Sequence, residues 1–147
     1  MDCRPMEFFS RKETAPGGEA GPWRAILDLG SNTFQLLAGR IHHGRPEMVL
    51  REQRFAGLGI GSLSGGEITA AAAARSLAVL EEFALLIRPL GIDPATARVL
   101  GTSALRHAGN ATGFADRVRE KTGFRIRIIS GEEEAGLIRA GDRKSVV

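Results

Sequence analysis

The chain has little cysteine and few aromatic side chains: its 147 residues include one cysteine, no tyrosine and only 5% aromatic residues. A single cysteine, Cys3, cannot form a disulfide within the chain, so we expect a reducing compartment and a cytoplasmic location. No apolar run reaches the roughly 18 residues of a membrane-spanning helix, and charged residues interrupt the N-terminus where a signal peptide would need an apolar stretch. We therefore expect no membrane partner.

The net charge is also small. A formal charge of +3 does not predict a nucleic-acid partner, although the sequence pI is about 9.7. A local cluster of basic residues has two interpretations, a solvated helix face with a strand edge or a patch that attracts a polyanionic substrate. The cluster consists of Arg117, Arg119, Lys121, Arg125 and Arg127.

The remaining composition predicts one globular domain, because 43% hydrophobic and 25% charged residues are typical of a chain that buries a core. Residues 1–22 are polar, mixed in charge and rich in glycine and proline at their end, so we expect a flexible leader there. The domain is expected at 23–141. We interpret residues 142–147 as a non-native tail that does not belong to the fold.

The most informative segment is an apolar run, Ala25–Leu37, that is interrupted by Asp28 and by a polar turn. Glycine in such a turn lets the backbone approach an anion, and the neighbouring polar side chains add hydrogen-bond donors. We therefore predict a phosphate-binding hairpin, with Asp28 holding a hydrated divalent cation. The alternative is an ordinary hairpin turn, since the same residues favour turns. The predicted phosphate-binding residues are Gly30, Ser31, Asn32 and Thr33.

Hydrophobic periodicity predicts alternating strands and helices after this motif. His42 and His43 would point to opposite faces of a strand, so a turn is favoured over a metal pair. The glycine-rich stretch 55–66 lacks a lysine in P-loop register and is interpreted as a connection that ends in a capping box, Ser64 to Glu67. The predicted elements are strands at 24–29, 34–41 and 47–55, a helix at 67–88, a strand at 98–101, a short helix at 102–108, a helix capped by Asn110 and ending near 121, a strand at 124–129 and a helix from Gly131.

Two further motifs accompany the first. Residues 99–110 read Val-Leu-Gly-Thr-Ser-Ala-Leu-Arg-His-Ala-Gly-Asn, and residues 128–135 read Ile-Ile-Ser-Gly-Glu-Glu-Glu-Ala. In this order and spacing, the three motifs closely resemble the N-terminal domain of the exopolyphosphatase and guanosine pentaphosphate phosphatase (Ppx/GppA) family, over roughly Trp23 to Gly141. The resemblance implies an α/β fold, the ribonuclease-H-like half of an actin-like ATPase fold with a mixed sheet in the order β1-β2-β3-α-β4-α-β5-α.

The resemblance also implies a reaction, the hydrolysis of a terminal phosphate from inorganic polyphosphate or guanosine pentaphosphate. A glutamate would activate the attacking water, and Mg²⁺ or Mn²⁺ would be bound through Asp28. Arg106 would bind the phosphate, although an arginine there could also form a surface ion pair. Ser103 and His107 are given no role. A homodimer is the candidate assembly for the full-length protein.

The acidic triplet 132–134 supplies the candidate base. Glu133 stands in capping-box spacing with Ser130, and Glu132 is explained by the helix dipole alone. Glu134 has the weakest structural explanation, and the resemblance assigns the base to the last glutamate before the alanine. We therefore predict Glu134 as the general base, with Glu133 as the second candidate.

Two other functions compete with this prediction. Members of the resembled family continue into a second phosphate loop and a second domain, so a non-catalytic phosphate-binding fragment is the alternative. A sugar or acetate kinase of the same superfamily would share the first motif. It would not explain the second and third motifs.

Overall fold

The computed structural model of the protein describes residues 20–62 and 66–145, with residues 140–145 described by their backbone only. Most of the predicted leader, residues 1–19, lies outside this range. The backbone N–H of Gly21 donates to the carbonyl of Ile41 at 2.8 Å, so the described end of the leader is already bonded to the sheet. The elements in chain order are β1 (Arg24–Leu29), β2 (Thr33–His42), β3 (Arg45–Phe55), α1 (Ala70–Ile87), β4 (Arg98–Gly101), α2 (Ser103–His107), α3 (Ala111–Thr122), β5 (Ile126–Ile128) and α4 (Gly131–Ser145).

Five strands of the described chain form one mixed sheet in the order β3-β2-β1-β4-β5. The first three strands pair antiparallel as a meander, whereas β4 pairs parallel with β1 and β5 pairs parallel with β4. Parallel neighbours need a crossover, and the helices between β3 and β5 provide it. The predicted α/β fold with its strand and helix order is confirmed, and the crossover from β4 to β5 contains the two helices that the sequence predicts.

The two faces of the sheet bury different amounts of apolar surface. Ala25, Leu27 and Leu29 of β1 belong to a large core that also contains the inner sides of α1 and α3. Ile26 lies on the opposite face in a small cluster with Leu100 and Ile129. Since strand side chains alternate, Asp28 shares the face of Ile26. We call the two sides the α1/α3 face and the α4 face.

The boundaries of the first helix differ from the prediction. Helix α1 begins at Ala70 rather than at Glu67, because Thr69 is the cap residue and its hydroxyl accepts the N–H of Ala72 at 3.1 Å. Ser64, the first residue of the predicted capping box, lies outside the described chain, and Glu67, its last residue, precedes the helix instead of standing in its first turn. No helix within the described ranges is long and apolar enough to cross a membrane.

The turn between β2 and β3 is shorter than predicted. Strand β2 ends at His42 and β3 begins at Arg45, which leaves His43 and Gly44 as a two-residue turn with φ of 50° and 73°. His42 Nδ1 lies 3.2 Å from the Glu47 carboxylate, which also accepts a hydrogen bond from Arg40 at 2.9 Å. The Arg40 hydrogen bond lowers the pKa of Glu47. The turn interpretation is therefore confirmed for His43 alone, because His42 is the last residue of β2 and pairs with Arg45.

Candidate active site

Three strand ends bring the three sequence motifs to one edge of the sheet. Strands β1, β4 and β5 run parallel, and Leu29, Gly101 and Ile128 stand in register where these strands end. Ligands of open α/β sheets bind beyond such carboxyl ends. The turn after β1, helix α2 after β4 and helix α4 after β5 all begin at this edge, so residues far apart in sequence become neighbours there.

The turn after β1 joins two antiparallel strands, as both interpretations of the sequence predict. Gly30 N–H donates to the carbonyl of Thr33 at 3.1 Å, and a Cβ on Gly30 would lie 2.9 Å from that carbonyl oxygen, so the position requires glycine. The carbonyl of Ser31 accepts the N–H of Gly59, and the carbonyl of Asn32 accepts two N–H groups from the start of the glycine-rich loop. Within the described residues, the N–H groups of Ser31 and Asn32 have no acceptor. They are available to an anion.

Arg106 and Glu134 meet at this edge. Nη1 of Arg106 donates to the carbonyl of Ile129 at 2.9 Å, and both Nη atoms lie 3.4 Å from Oε2 of Glu134. Both side chains are about three-quarters buried, with relative exposures of 25% and 26%. The pair is at the long end of hydrogen-bond distances, so the guanidinium can exchange this carboxylate for a stronger anionic partner. The predicted phosphate ligand and the predicted base are thus direct neighbours.

Glu133 has a different environment. Its N–H donates to Oγ of Ser130 at 3.1 Å, so half of the predicted capping box is present. The reciprocal half of that prediction was wrong, because the Glu133 carboxylate accepts from Nη2 of Arg127 at 2.8 Å instead of returning to the cap. This ion pair is solvent-exposed, and the 2.8 Å bond to a cation explains the orientation of Glu133 without any role in chemistry.

The basic cluster predicted from sequence lies on α3 and around β5. All five of its side chains are exposed, and Arg127 is the member bonded to Glu133. Exposure fits a solvated surface as well as a patch for a polyanion, so the second interpretation stays a prediction.

Asp28 is half-buried near the end of β1, where its register partners are Gln35 and Leu100. Within the described residues, no group of three histidine, cysteine, aspartate or glutamate side chains is placed to enclose a metal ion. Magnesium does not require such a cage, since it keeps several waters and binds through one or two carboxylates and substrate phosphates. Asp28 supplies one carboxylate of the kind that this mode of binding uses, so its role as a ligand of a divalent cation stays a prediction.

An open groove of about 670 Å³ lies beside the turn. One wall is the glycine-rich loop from Gly59 to Ser62, and the other is α2 with Ser103, Ala104 and His107. The sequence predicts no role for Ser103 or His107, and the structure places both on this groove. The part of the glycine-rich stretch that the structure describes is held against the turn by the hydrogen bonds of Gly59, Gly57 and Ala56.

Asn110 was assigned too simple a role. It stands at the N-cap of α3, as predicted, but its side chain does not cap the helix. Its Oδ1 accepts the N–H of Ile68 at 2.9 Å and its Nδ2 donates to the carbonyl of Ile68 at 3.0 Å. The sequence signal was the position of Asn110 at the end of the second motif, which a helix cap alone would not explain.

Thr102 is the other residue that the sequence reasoning missed. It is buried, and its hydroxyl donates to the carbonyl of Leu29 at 3.1 Å. This bond ties the start of α2 to the end of β1 and thereby fixes the helix that carries Arg106 relative to the turn after β1.

Residues 38–146 match the Ppx/GppA phosphatase family. An exopolyphosphatase from Cytophaga hutchinsonii superposes with a TM-score of 0.74 at 31% identity, over 78% of this chain and 36% of that one. The Ppx/GppA family member of Aquifex aeolicus gives a TM-score of 0.71 at 26% identity, over 77% of this chain and 36% of that one. An exopolyphosphatase-like protein gives a TM-score of 0.72 at 30% identity, over 80% of this chain and 35% of that one.

The chain therefore spans little more than a third of the length of these solved structures, and what it shares with them is the mixed sheet and its helices. The family match covers most of the chain and includes the motifs after β4 and β5. On this evidence, together with the three motifs at one sheet edge, the chain belongs to the Ppx/GppA phosphatase family.

Proposed function

We propose that the protein is a hydrolase that releases the terminal phosphate of a phosphoanhydride chain, with inorganic polyphosphate and guanosine pentaphosphate as the candidate substrates. The observation that carries the proposal is the 3.4 Å contact between Arg106 and Glu134, at the same edge of the sheet from which the turn after β1 leaves. A cation that binds phosphate and a carboxylate base are needed at the same phosphorus atom, and Arg106 and Glu134 are a guanidinium and a carboxylate that would fill these two roles.

The turn and Arg106 would bind the terminal phosphate together. The N–H groups of Ser31 and Asn32 donate to its oxygens, and Gly30 allows the close approach of the backbone. The hydroxyl groups of Ser31 and Thr33 are further donors. The guanidinium of Arg106 offers paired donors to two phosphate oxygens and opposes the negative charge that grows on the leaving oxygen.

Glu134 would then act as the general base. When the phosphate replaces it as the partner of Arg106, its carboxylate accepts a proton from the attacking water. The water oxygen forms a bond to the terminal phosphorus, the bridging P–O bond breaks, and the shortened chain leaves with the bonding electrons. No covalent intermediate with the protein is required.

A divalent cation would neutralise the negative charge of the phosphate that Arg106 leaves uncompensated. Asp28 is the residue proposed to hold Mg²⁺ or Mn²⁺, and the ion would neutralise phosphate charge during the transfer. The proposal places the reaction in the cytoplasm, which agrees with the single cysteine of the sequence.

The test is phosphate release from polyphosphate and from guanosine pentaphosphate in the presence of Mg²⁺, measured for this chain and for the product of the complete gene. Glu134→Gln removes the base and is expected to lower kcat by about 10²- to 10⁴-fold. Glu133→Gln is the matched control, since it changes the adjacent carboxylate in an exposed ion pair and should leave kcat within about threefold.

Two results would contradict the proposal. Equal losses in the two variants would mean that Glu134 has no special role as base. Absence of phosphate release from both substrates by the complete protein would support the phosphate-binding alternative instead.

A further inference from the structure

The glycine-rich loop is attached to the rest of the site at both of its ends. It leaves the sheet after Phe55 and enters α1 at Ala70. At the first end, Arg75 of α1 donates to the carbonyls of Ala56 and Gly57 at 3.1 and 3.0 Å, while the N–H groups of the same two residues donate to the carbonyl of Asn32. This end is therefore fixed to the phosphate turn.

The second end is attached to the junction between α2 and α3. The Asn110 amide forms two hydrogen bonds with the peptide groups of Ile68, and the N–H of Gly109 donates to the carbonyl of Gly66 at 2.7 Å. The three bonds resemble a short strand pairing in which one side chain takes the place of a backbone. The Asn110 side chain is the only part of this attachment that a substitution can remove without changing a glycine.

The hydrogen bonds of Asn110 and Gly109 connect the two walls of the groove. Gly59 and Gly66 line one wall, and α2, which carries Arg106, forms the other. The Asn110 amide joins the two walls, because Asn110 lies in the short connection between α2 and α3 and Ile68 lies two residues after Gly66. Fixing both ends of a loop removes conformations that would otherwise have to be lost when a ligand binds.

We propose that Asn110 is a positioning residue for the phosphate site, which holds the glycine-rich wall at a fixed distance from the Arg106 helix. This inference rests on the proposed function, because it assumes that phosphate binds between the turn after β1 and Arg106. Asn110 itself does not have to touch the substrate. Its effect passes from Ile68 to nearby Gly66, whose N–H donates to the carbonyl of Ser62. The N–H of Ser62 donates in turn to the carbonyl of Gly59, and the N–H of Gly59 donates to the carbonyl of Ser31.

The helix-cap position offers a way to separate positioning from stability. Asparagine and serine are similarly favourable N-cap residues, so Asn110→Ser can cap α3 with its own side chain while it loses the paired amide. Asn110→Ala removes the paired amide and offers no new cap for α3. Asp93→Ala is the control, since it removes a side-chain hydrogen bond to the backbone, in which the N–H of Ala95 donates to Oδ1 of Asp93 at 2.9 Å, in a turn away from the groove.

The experiment is a calorimetric titration of the wild type and these variants with tripolyphosphate, accompanied by thermal unfolding and by amide hydrogen exchange at Ile68. Asn110→Ser should retain a melting temperature near that of the wild type, exchange the Ile68 amide faster, and bind tripolyphosphate about tenfold more weakly, as expected for the loss of oriented hydrogen bonds. Asp93→Ala should bind within about twofold of the wild type.

Affinities of both Asn110 variants within twofold of the wild type would overturn the inference, provided that Arg106→Gln weakens binding. If the wild type does not bind tripolyphosphate, or if Arg106→Gln has no effect on affinity, the proposed phosphate site is wrong and the inference falls with it. The Arg106→Gln titration thus distinguishes failure of the inference from failure of the proposed function.

Discussion

The two faces of the sheet differ in how much apolar surface they bury and in which charged residues they carry. On the α1/α3 face, large side chains such as Phe34, Leu80 and Phe83 are completely buried in a continuous core. On the α4 face, the described buried cluster is limited to Ile26, Leu100 and Ile129, with Leu37 and Leu137 packed against it. One face therefore provides the hydrophobic stabilisation, and the other leaves room for polar groups.

The candidate chemistry is concentrated on the less buried side. Asp28 shares the face of Ile26, and Glu134 lies in the first turn of α4, whose Leu137 packs against that face. Arg106 belongs to α2 but binds the carbonyl of Ile129, which is part of the small cluster. Charged groups are costly to bury in an apolar core, so a sheet that buries one face deeply and the other lightly can hold them without losing its stability.

The largest effect on stability should come from the α1/α3 face. Leu80→Ala is expected to lower the free energy of unfolding by about 3–5 kcal/mol, since the cavity would be enclosed on all sides. Leu100→Ala, the same substitution on the α4 face, should cost only about 2–3 kcal/mol because it adjoins an open groove of about 240 Å³ that water can enter. Urea unfolding of both variants measures the difference. Equal losses would contradict the distinction between the faces.

A smaller change in the free energy of unfolding, of opposite sign, is expected at a buried hydroxyl on the α1/α3 face. The Ser76 hydroxyl is fully buried in α1 and has no hydrogen-bond partner within the described chain. Ser76→Ala removes an unsatisfied polar group and introduces the best helix former, so it should raise the free energy of unfolding by about 0.5–2 kcal/mol. Thr102→Ala is a contrasting control, because that buried hydroxyl is bonded to Leu29 and its loss should destabilise. Destabilisation by Ser76→Ala would show that the hydroxyl has a partner.

The sequence allowed the sheet and most helices to be predicted, because apolar periodicity is local. The start of α1 was misplaced because Thr69 and Ser64 both lie in capping positions before an alanine-rich stretch, and local sequence does not choose between them. Glu133 was given a reciprocal cap bond, whereas the neighbouring strand offers Arg127, a cationic partner that binds a carboxylate more strongly than a backbone N–H does.

The candidate site was predicted as a set of residues but not as an arrangement. Arg106, Glu134 and the turn after β1 were each identified from their motifs. Their proximity depends on the parallel registers of β1, β4 and β5, which relate residues far apart in the chain. The pairing of Asn110 with Ile68 spans 42 residues and has no local signal.

The most direct test of the account is an amide and arginine side-chain NMR titration of this chain with tripolyphosphate. The account predicts that the largest shifts occur at the backbone N–H groups of Ser31 and Asn32 and at the guanidinium of Arg106, at the edge where the three parallel strands end. Shifts confined to the exposed basic cluster of α3 and β5, with no change at the turn or at Arg106, would contradict it.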